Sequence, residues 1–423
     1  MAMRKRMETM SPLIVRAYGE YMAAESPRIG PLRRSSSSAA RGTGCGSLAE
    51  TCSSRIPSSN ACRKRGLAEG PRAGRRIQVK FKATVPMAKR PLLAGLALAG
   101  AGCGDTVEPQ PSAACGDAPL TVAFYAFYAP VSYSADEDPN SPGFSRHMGY
   151  EADLLSALEA MPGTGLSFVR RPIADWPGIW LLPATSSFDM AGGGITILES
   201  RTVDDAGTPA VAFTSGHITF RQSLLVRSED AVRLSSYDAL TSAVRVGVLP
   251  GTTGEARLLR ITGIVDGSGV LRAGTRVETP AGTIVADGTG MYTITPAMAS
   301  PVLQGRTRIH PPSDDMPEVV YLGRESGDAE LFDALRDGRI DAVAHGEIRG
   351  GEAAHTSGGA FVVAARDSLA EFGGFTLDEE DRDLLACIDT RIDWLTDERR
   401  TGFAEWLADP SVFRQRAALW PGG

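Results

Sequence analysis

Histidine is scarce in this 423-residue chain: His147, His217, His310, His345 and His355 are all there are, and no two stand at metal-ligand spacing. The six cysteines are equally uninformative for a metal, since Cys45, Cys52 and Cys62 have no C-x-x-C spacing. No nucleophile elbow and no glycine-rich dinucleotide turn occurs, so neither serine-hydrolase chemistry nor a bound nicotinamide is read from a motif. Long apolar runs are missing too. The longest candidate, Pro91 to Ala99, is too short to cross a bilayer as a stable helix. These absences leave no cofactor and no metal to expect.

Charge is present but unevenly spread. Through residue 86 there are 17 Lys+Arg against 5 Asp+Glu, which leaves 27 against 45 in the remainder, a balance of −18. An acidic body repels phosphate backbones, so no nucleic-acid partner is expected. The basic segment 1–86, with "RRSSSSAARGTG", lacks apolar periodicity and reads as disordered. From Met87 the chain changes character. Lys89 and Arg90 form a charged head, Pro91 to Ala99 an apolar core, and Gly100-Ala101-Gly102 a small-residue site before Cys103. This stretch resembles a bacterial lipoprotein signal spanning 87–102, with Gly100 where leucine is usual. Lipidation at Cys103, a membrane-anchored periplasmic location and translation from Met87 are the expectations. Residues 1–86 are then upstream sequence, or alternatively a targeting extension. Residues 103–118, rich in Pro, Ser and Gly, read as a tether. Cys115 and Cys387 remain, and in an oxidising compartment they either pair or stay as two buried thiols.

Beyond residue 118 strands alternate with helices. "LTVAFYAFYAP" reads as a strand, "GYEADLLSALEAM" places Leu154, Leu155, Leu158 and Met161 at helical spacing, and "LSFVRRPI" is a second strand. Such alternation implies crossovers and a mainly parallel sheet. The same grammar recurs from "VRVGVLPGTTGEARLLR" to "IDAVAHG". The result is an α/β chain of two lobes with two crossings: lobe 1 over 119–228, lobe 2 over 229–345, and a hinge return completing lobe 1 over 346–423. Residues 263–317 alternate β-formers with glycine turns and read as a β-hairpin insertion in lobe 2.

The succession "GYEADLLSALEAM", "DWPGIWLLPATSSFDMAGGGITILESR", "VRVGVLPGTTGE" and "DALRDGRIDAV" resembles bacterial extracellular solute-binding proteins of the polar amino acid class. The resemblance implies a periplasmic-binding-protein, or Venus-flytrap, fold. It also implies a monomer that binds a small carboxylate or amino acid between its lobes and hands it to an ABC permease. In "GGGITILESR", glycines including Gly194 let backbone N–H groups approach a ligand, and by resemblance Thr196 and Arg201 take its carboxylate. Arg201 could instead pair with Asp204 or Asp205. Thr252 and Thr253 of "GTTGE" open a helix whose positive end suits an anion, or they form an ordinary N-cap. The Lys-Ser/Thr pair of a nucleotide loop is absent. Tyr128 and Trp176 flank the solute in similar proteins, with burial in the core as the plain alternative. Glu347 stands beside Gly346, where many amino-acid receptors carry an Asp for the ammonium. A second function resembles this one in fold: a periplasmic cyclohexadienyl dehydratase, with Glu347 or His345 as the acid that protonates the departing hydroxyl.

Overall fold

The protein is described by a computed structural model over residues 114–323 and 327–422. The basic segment, the lipoprotein-like signal, Cys103 and most of the tether lie outside the described residues.

The first lobe opens with β1 (Leu120–Tyr125) and three short strands that pair with one another, β2 (Phe127–Tyr128), β3 (Ser132–Ser134) and β4 (His147–Met148). Helix α1 (Tyr150–Ala160), β5 (Phe168–Ile173), β6 (Met190–Gly192) and β7 (Val211–Phe213) follow. The second lobe begins with β8 (Ile218–Arg227), β9 (Arg245–Val248) and helix α2 (Thr253–Ile261). It continues through β10 (Arg276–Thr279), β11 (Gly282–Val285), β12 (Arg308–His310) and β13 (Glu318–Tyr321). Helix α3 (Ala329–Arg336), β14 (Ala342–Gly346), helix α4 (Glu347–Thr356) and β15 (Phe361–Gly373) complete it. The chain re-enters the first lobe at β16 (Thr376–Asp378) and ends in α5 (Arg382–Leu395), α6 (Phe403–Ala408) and α7 (Val412–Ala417).

Each lobe has its own sheet, and this is the expected two-lobed α/β architecture. The first has the order β5-β1-β6-β16-β7, with β1 parallel to both β5 and β6. The second runs β11-β10-β12-β13-β9-β14-β8-β15, parallel only among β13, β9 and β14. Helix α1 buries Leu154, Leu155 and Leu158 completely, as their spacing predicts, and Pro162-Gly163 stop it. The insertion does more than decorate. Its hairpin β10–β11 and strand β12 pair antiparallel onto β13 and extend the second sheet by three strands.

Sheet membership moves the expected lobe boundaries. Strand β8 pairs with β14 and β15, so the second lobe's sheet begins at 218 and not after 228. Helix α4 and β15 also belong to that lobe, so the return to lobe 1 comes at β16 and not at 346. The reason is one long antiparallel ladder, from Phe361↔Arg227 to Gly373↔Ile218, that keeps both hinge strands together. Cys115 and Cys387 form a disulfide, Cα atoms 5.5 Å apart, which ties the start of the described chain to α5.

Candidate functional site

A small cavity of about 40 Å³ lies between the lobes. Tyr125, Tyr128, Trp176 and Thr196 line it from lobe 1, and Leu249, Thr253, Asp328 and His345 from lobe 2. The lobes are clasped: the Trp176 indole Nε1 donates to the Gly251 carbonyl at 2.9 Å, and the Thr196 and Thr253 hydroxyls stand 3.4 Å apart.

Gly194 lines the cavity, but its N–H is turned to a protein acceptor. The Gly193 and Gly194 amides donate to the two oxygens of the buried Glu151 carboxylate, at 2.7 and 2.8 Å. Glu151 sits in the first turn of α1 and also holds His217 Nε2 at 3.1 Å. Glycine is required at 194 for another reason. Its φ is +69°, and a Cβ there would stand 2.6 Å from the Tyr128 ring. The turn therefore seats Tyr128, whose ring lies tilted by 32° against that of His345, centroids 5.9 Å apart.

From lobe 2 the first turn of α2 reaches the cavity through Thr252, Thr253 and Gly254. Thr252 is the N-cap, accepting from the Glu255 amide at 3.1 Å. Glu255 reaches back to the Gly251 amide at 2.7 Å, and its other oxygen takes Tyr321 and the Arg306 guanidinium, the latter as close as 2.5 Å. Arg306 belongs to the 263–317 insertion, which thus braces the turn that faces the cavity. Thr253 accepts from Gln222 Nε2 at 2.8 Å. Gln222 Nε2 also donates to Glu371 at 2.7 Å, while its Oε1 is buried without a partner among the described residues. Burial raises the Glu371 carboxyl, against the pull of Gln222, Thr253 and Arg201.

The strongest charge on the cavity wall is one that sequence reading missed. Asp328, just ahead of α3, is buried and accepts from His345 Nε2 at 2.9 Å and Arg349 Nε at 2.7 Å. Burial alone would raise its carboxyl, but His345 and Arg349 outweigh that and bring it down to about 2. Two of its lone-pair sites are occupied, which leaves capacity for a ligand donor. Nothing local marks it, because Asp328 precedes an ordinary helix and its partners lie 17 and 21 residues on. The "His345" of "AVAHG" was the only hint.

Two expected ligand residues fall elsewhere. Arg201 is fully buried but does not line the cavity. Its guanidinium stacks 4.3 Å from the Trp180 ring centroid and 5.6 Å from that of Trp176. It donates to the carbonyls of Thr196, Gly251 and Pro296 at 3.4, 3.4 and 3.1 Å, the last two from lobe 2. Neither Asp204 nor Asp205 is among these partners. Desolvation lowers the group to about 9, with Glu371 opposing. A planar five-donor fork suits indole faces and diverging carbonyls as well as it suits a carboxylate, and sequence cannot separate the two uses. Glu347 opens α4, ion-pairs with Arg366 at 3.1 Å and lines a different cavity. Tyr128, Trp176, Thr196, Thr252 and Thr253 do converge on one cavity, joined by Asp328, His345 and Gln222.

Among the described residues no cluster of His, Cys, Asp or Glu could hold a metal, and no helix is long and apolar enough to cross a membrane. No protein-family model and no curated protein matches the chain. Solved structures do. The holo arginine-binding protein ArgBP from T. maritima is 19% identical, with 66% of this chain and 90% of that chain covered at a TM-score of 0.43. An ancestral amino acid-binding protein, a precursor of cyclohexadienyl dehydratase, is 22% identical over 69% and 94% at 0.44. A substrate-binding protein of an ABC uptake transporter from Streptococcus pneumoniae, with bound histidine, is 15% identical over 72% and 93% at 0.44. The two-lobed fold described above rests on sheet topology and not on these likenesses.

Proposed function

We propose that this chain is a solute receptor, which captures a small amino-acid-like or carboxylate-bearing molecule as its lobes close. The observation that carries this reading is the interlobe cavity itself, whose polar groups come from both lobes. Only the closed form brings Thr196 and Trp176 against Thr253 and Gly251, so a solute touching both sides selects closure. The Asp328 carboxylate and Gln222 Oε1 offer acceptors to an ammonium, and the first turn of α2 offers its positive end to a carboxylate. The space favours a small solute; a larger one requires the lobes further apart. In this reading Cys103 carries a lipid that anchors the receptor at the cell envelope, and an ABC permease receives the solute.

The test is a thermal-shift screen of amino acids, small organic acids and sugars, followed by titration calorimetry. A true ligand at one hundred times its Kd adds about 2.7 kcal/mol to stability. Asp328→Asn and Thr253→Val should each weaken it tenfold or more. A screen with no stabilising amino acid or acid, or a hit unaffected by both variants, overturns the reading.

His345 supports a second, enzymatic reading. It lines the cavity, and its Nε2 is held by Asp328 in a pair that could deliver a proton to a departing hydroxyl. Prephenate or arogenate, like any solute of their size, would enter only with the lobes further apart. Turnover of either to an aromatic product, lost in His345→Gln, would establish it.

A further inference from the structure

A second cavity, of about 620 Å³, lies on the other side of the hinge. Strand β8 separates the two: Phe220 and Gln222 face the interlobe cavity, whereas Thr219, the neighbour preceding Phe220 and so on the opposite face of the strand, lines this one. Its walls are helix α4 from lobe 2 and the 399–407 segment of lobe 1, and its volume is that of an ordinary small-molecule site.

Glu352 of α4 lines this cavity, is 5% exposed, and has its Oε2 buried with no partner among the described residues. Burial of this uncompensated group pushes its carboxyl up to about 7. Most other charges on the walls are already engaged. Arg366 holds Glu347 at 3.1 Å, Arg400 holds Asp397 at 3.0 Å, and Arg399 lies over the Phe372 ring at 5.2 Å. Glu405 accepts from the Gly402 amide at 2.8 Å, and His217 is bound to Glu151 at 3.1 Å. His355, one turn along α4, also lines the space. Ile348, Phe403 and Leu407 supply apolar surface. The unmet demand is therefore for a hydrogen-bond donor or positive charge beside an apolar wall.

We propose that this back cavity is a second binding site, for a small organic ammonium with an apolar body, whose nitrogen pairs with Glu352. The proposal is independent of what the interlobe cavity binds.

The test uses phenethylammonium as probe in titration calorimetry on the purified chain at pH 8, with 2-phenylethanol and 3-phenylpropanoate as matched neutral and anionic controls. Saturable one-to-one binding of the ammonium alone is expected, weakened at least tenfold in Glu352→Gln and unchanged in Asp328→Asn. Glu352→Gln keeps the side-chain shape and removes a buried charge, so it should melt no lower than the parent. Ala404→Trp, made from an exposed wall position, should block binding without touching Glu352. At pH 7 the ammonium should displace a fraction of a proton from Glu352, seen as heats that change with buffer ionisation enthalpy. No saturable ammonium binding, binding that survives both Glu352→Gln and Ala404→Trp, or binding lost in Asp328→Asn, would overturn the proposal. Preference for phenylpropanoate would do so as well, by assigning the cavity to its arginines.

Discussion

Asp328 is the residue on which the interlobe cavity's chemistry turns, and its environment has a measurable pH signature. Its folded carboxyl lies near 2, below the ordinary 3.8, so its pairing with His345 and Arg349 stabilises the fold above about pH 4. That contribution is lost as pH falls through 2, and its full size is on the order of 2 kcal/mol. Urea midpoints at pH 5 and pH 2.5 should show a steeper fall for the parent chain than for Asp328→Asn; equal falls would contradict the pairing. Arg201 is a different case. It is held by two indole faces and three carbonyls, so Arg201→Ala should destabilise by about 3 kcal/mol or more through lost packing and buried carbonyls left unmet. Arg201→Lys should rescue little, because a point charge cannot serve diverging acceptors. If Arg201→Ala instead melts as the parent does, the clasp has been misread.

At the scale of elements, α2 shows how a remote segment shapes the cavity. Thr252 caps it, and Thr252→Ala should cost about 1 kcal/mol. Glu255 has a heavier role, because it is fully buried against Arg306, itself 4% exposed. Glu255→Ala leaves that guanidinium unpaired in the interior and should cost about 3–5 kcal/mol by chemical denaturation. It should also weaken any ligand seated against Thr252, Thr253 and Gly254, which a purely local helix defect would not do. The insertion reads from its composition as a hairpin, and the hairpin is there. Its brace on α2, and its Pro296 carbonyl under Arg201, depend on pairings across 51 and 95 residues that no local pattern carries.

Over the whole molecule, the Cys115–Cys387 bridge closes a span of 272 residues. By restricting the unfolded chain it should contribute about 2–5 kcal/mol, so the Cys115→Ser, Cys387→Ser pair should melt markedly lower under non-reducing conditions. A melt unchanged by that replacement would place the bridge's worth near zero.

The α/β class, the two lobes, helix α1 and the cap at Thr252 were legible in the sequence, because apolar periodicity and capping chemistry act between near neighbours. Residue types for a polar, aromatic-lined cleft were legible too, and Tyr128, Trp176, Thr196 and Thr253 meet there. Which way a charged side chain turns was not. Arg201 went to the tryptophans, Glu347 to Arg366, and the glycine-turn amides to Glu151, while Asp328 entered the cavity unannounced. Each outcome depends on which distant partner best offsets the loss of water around a polar group, and that competition is settled only once the lobes are packed together.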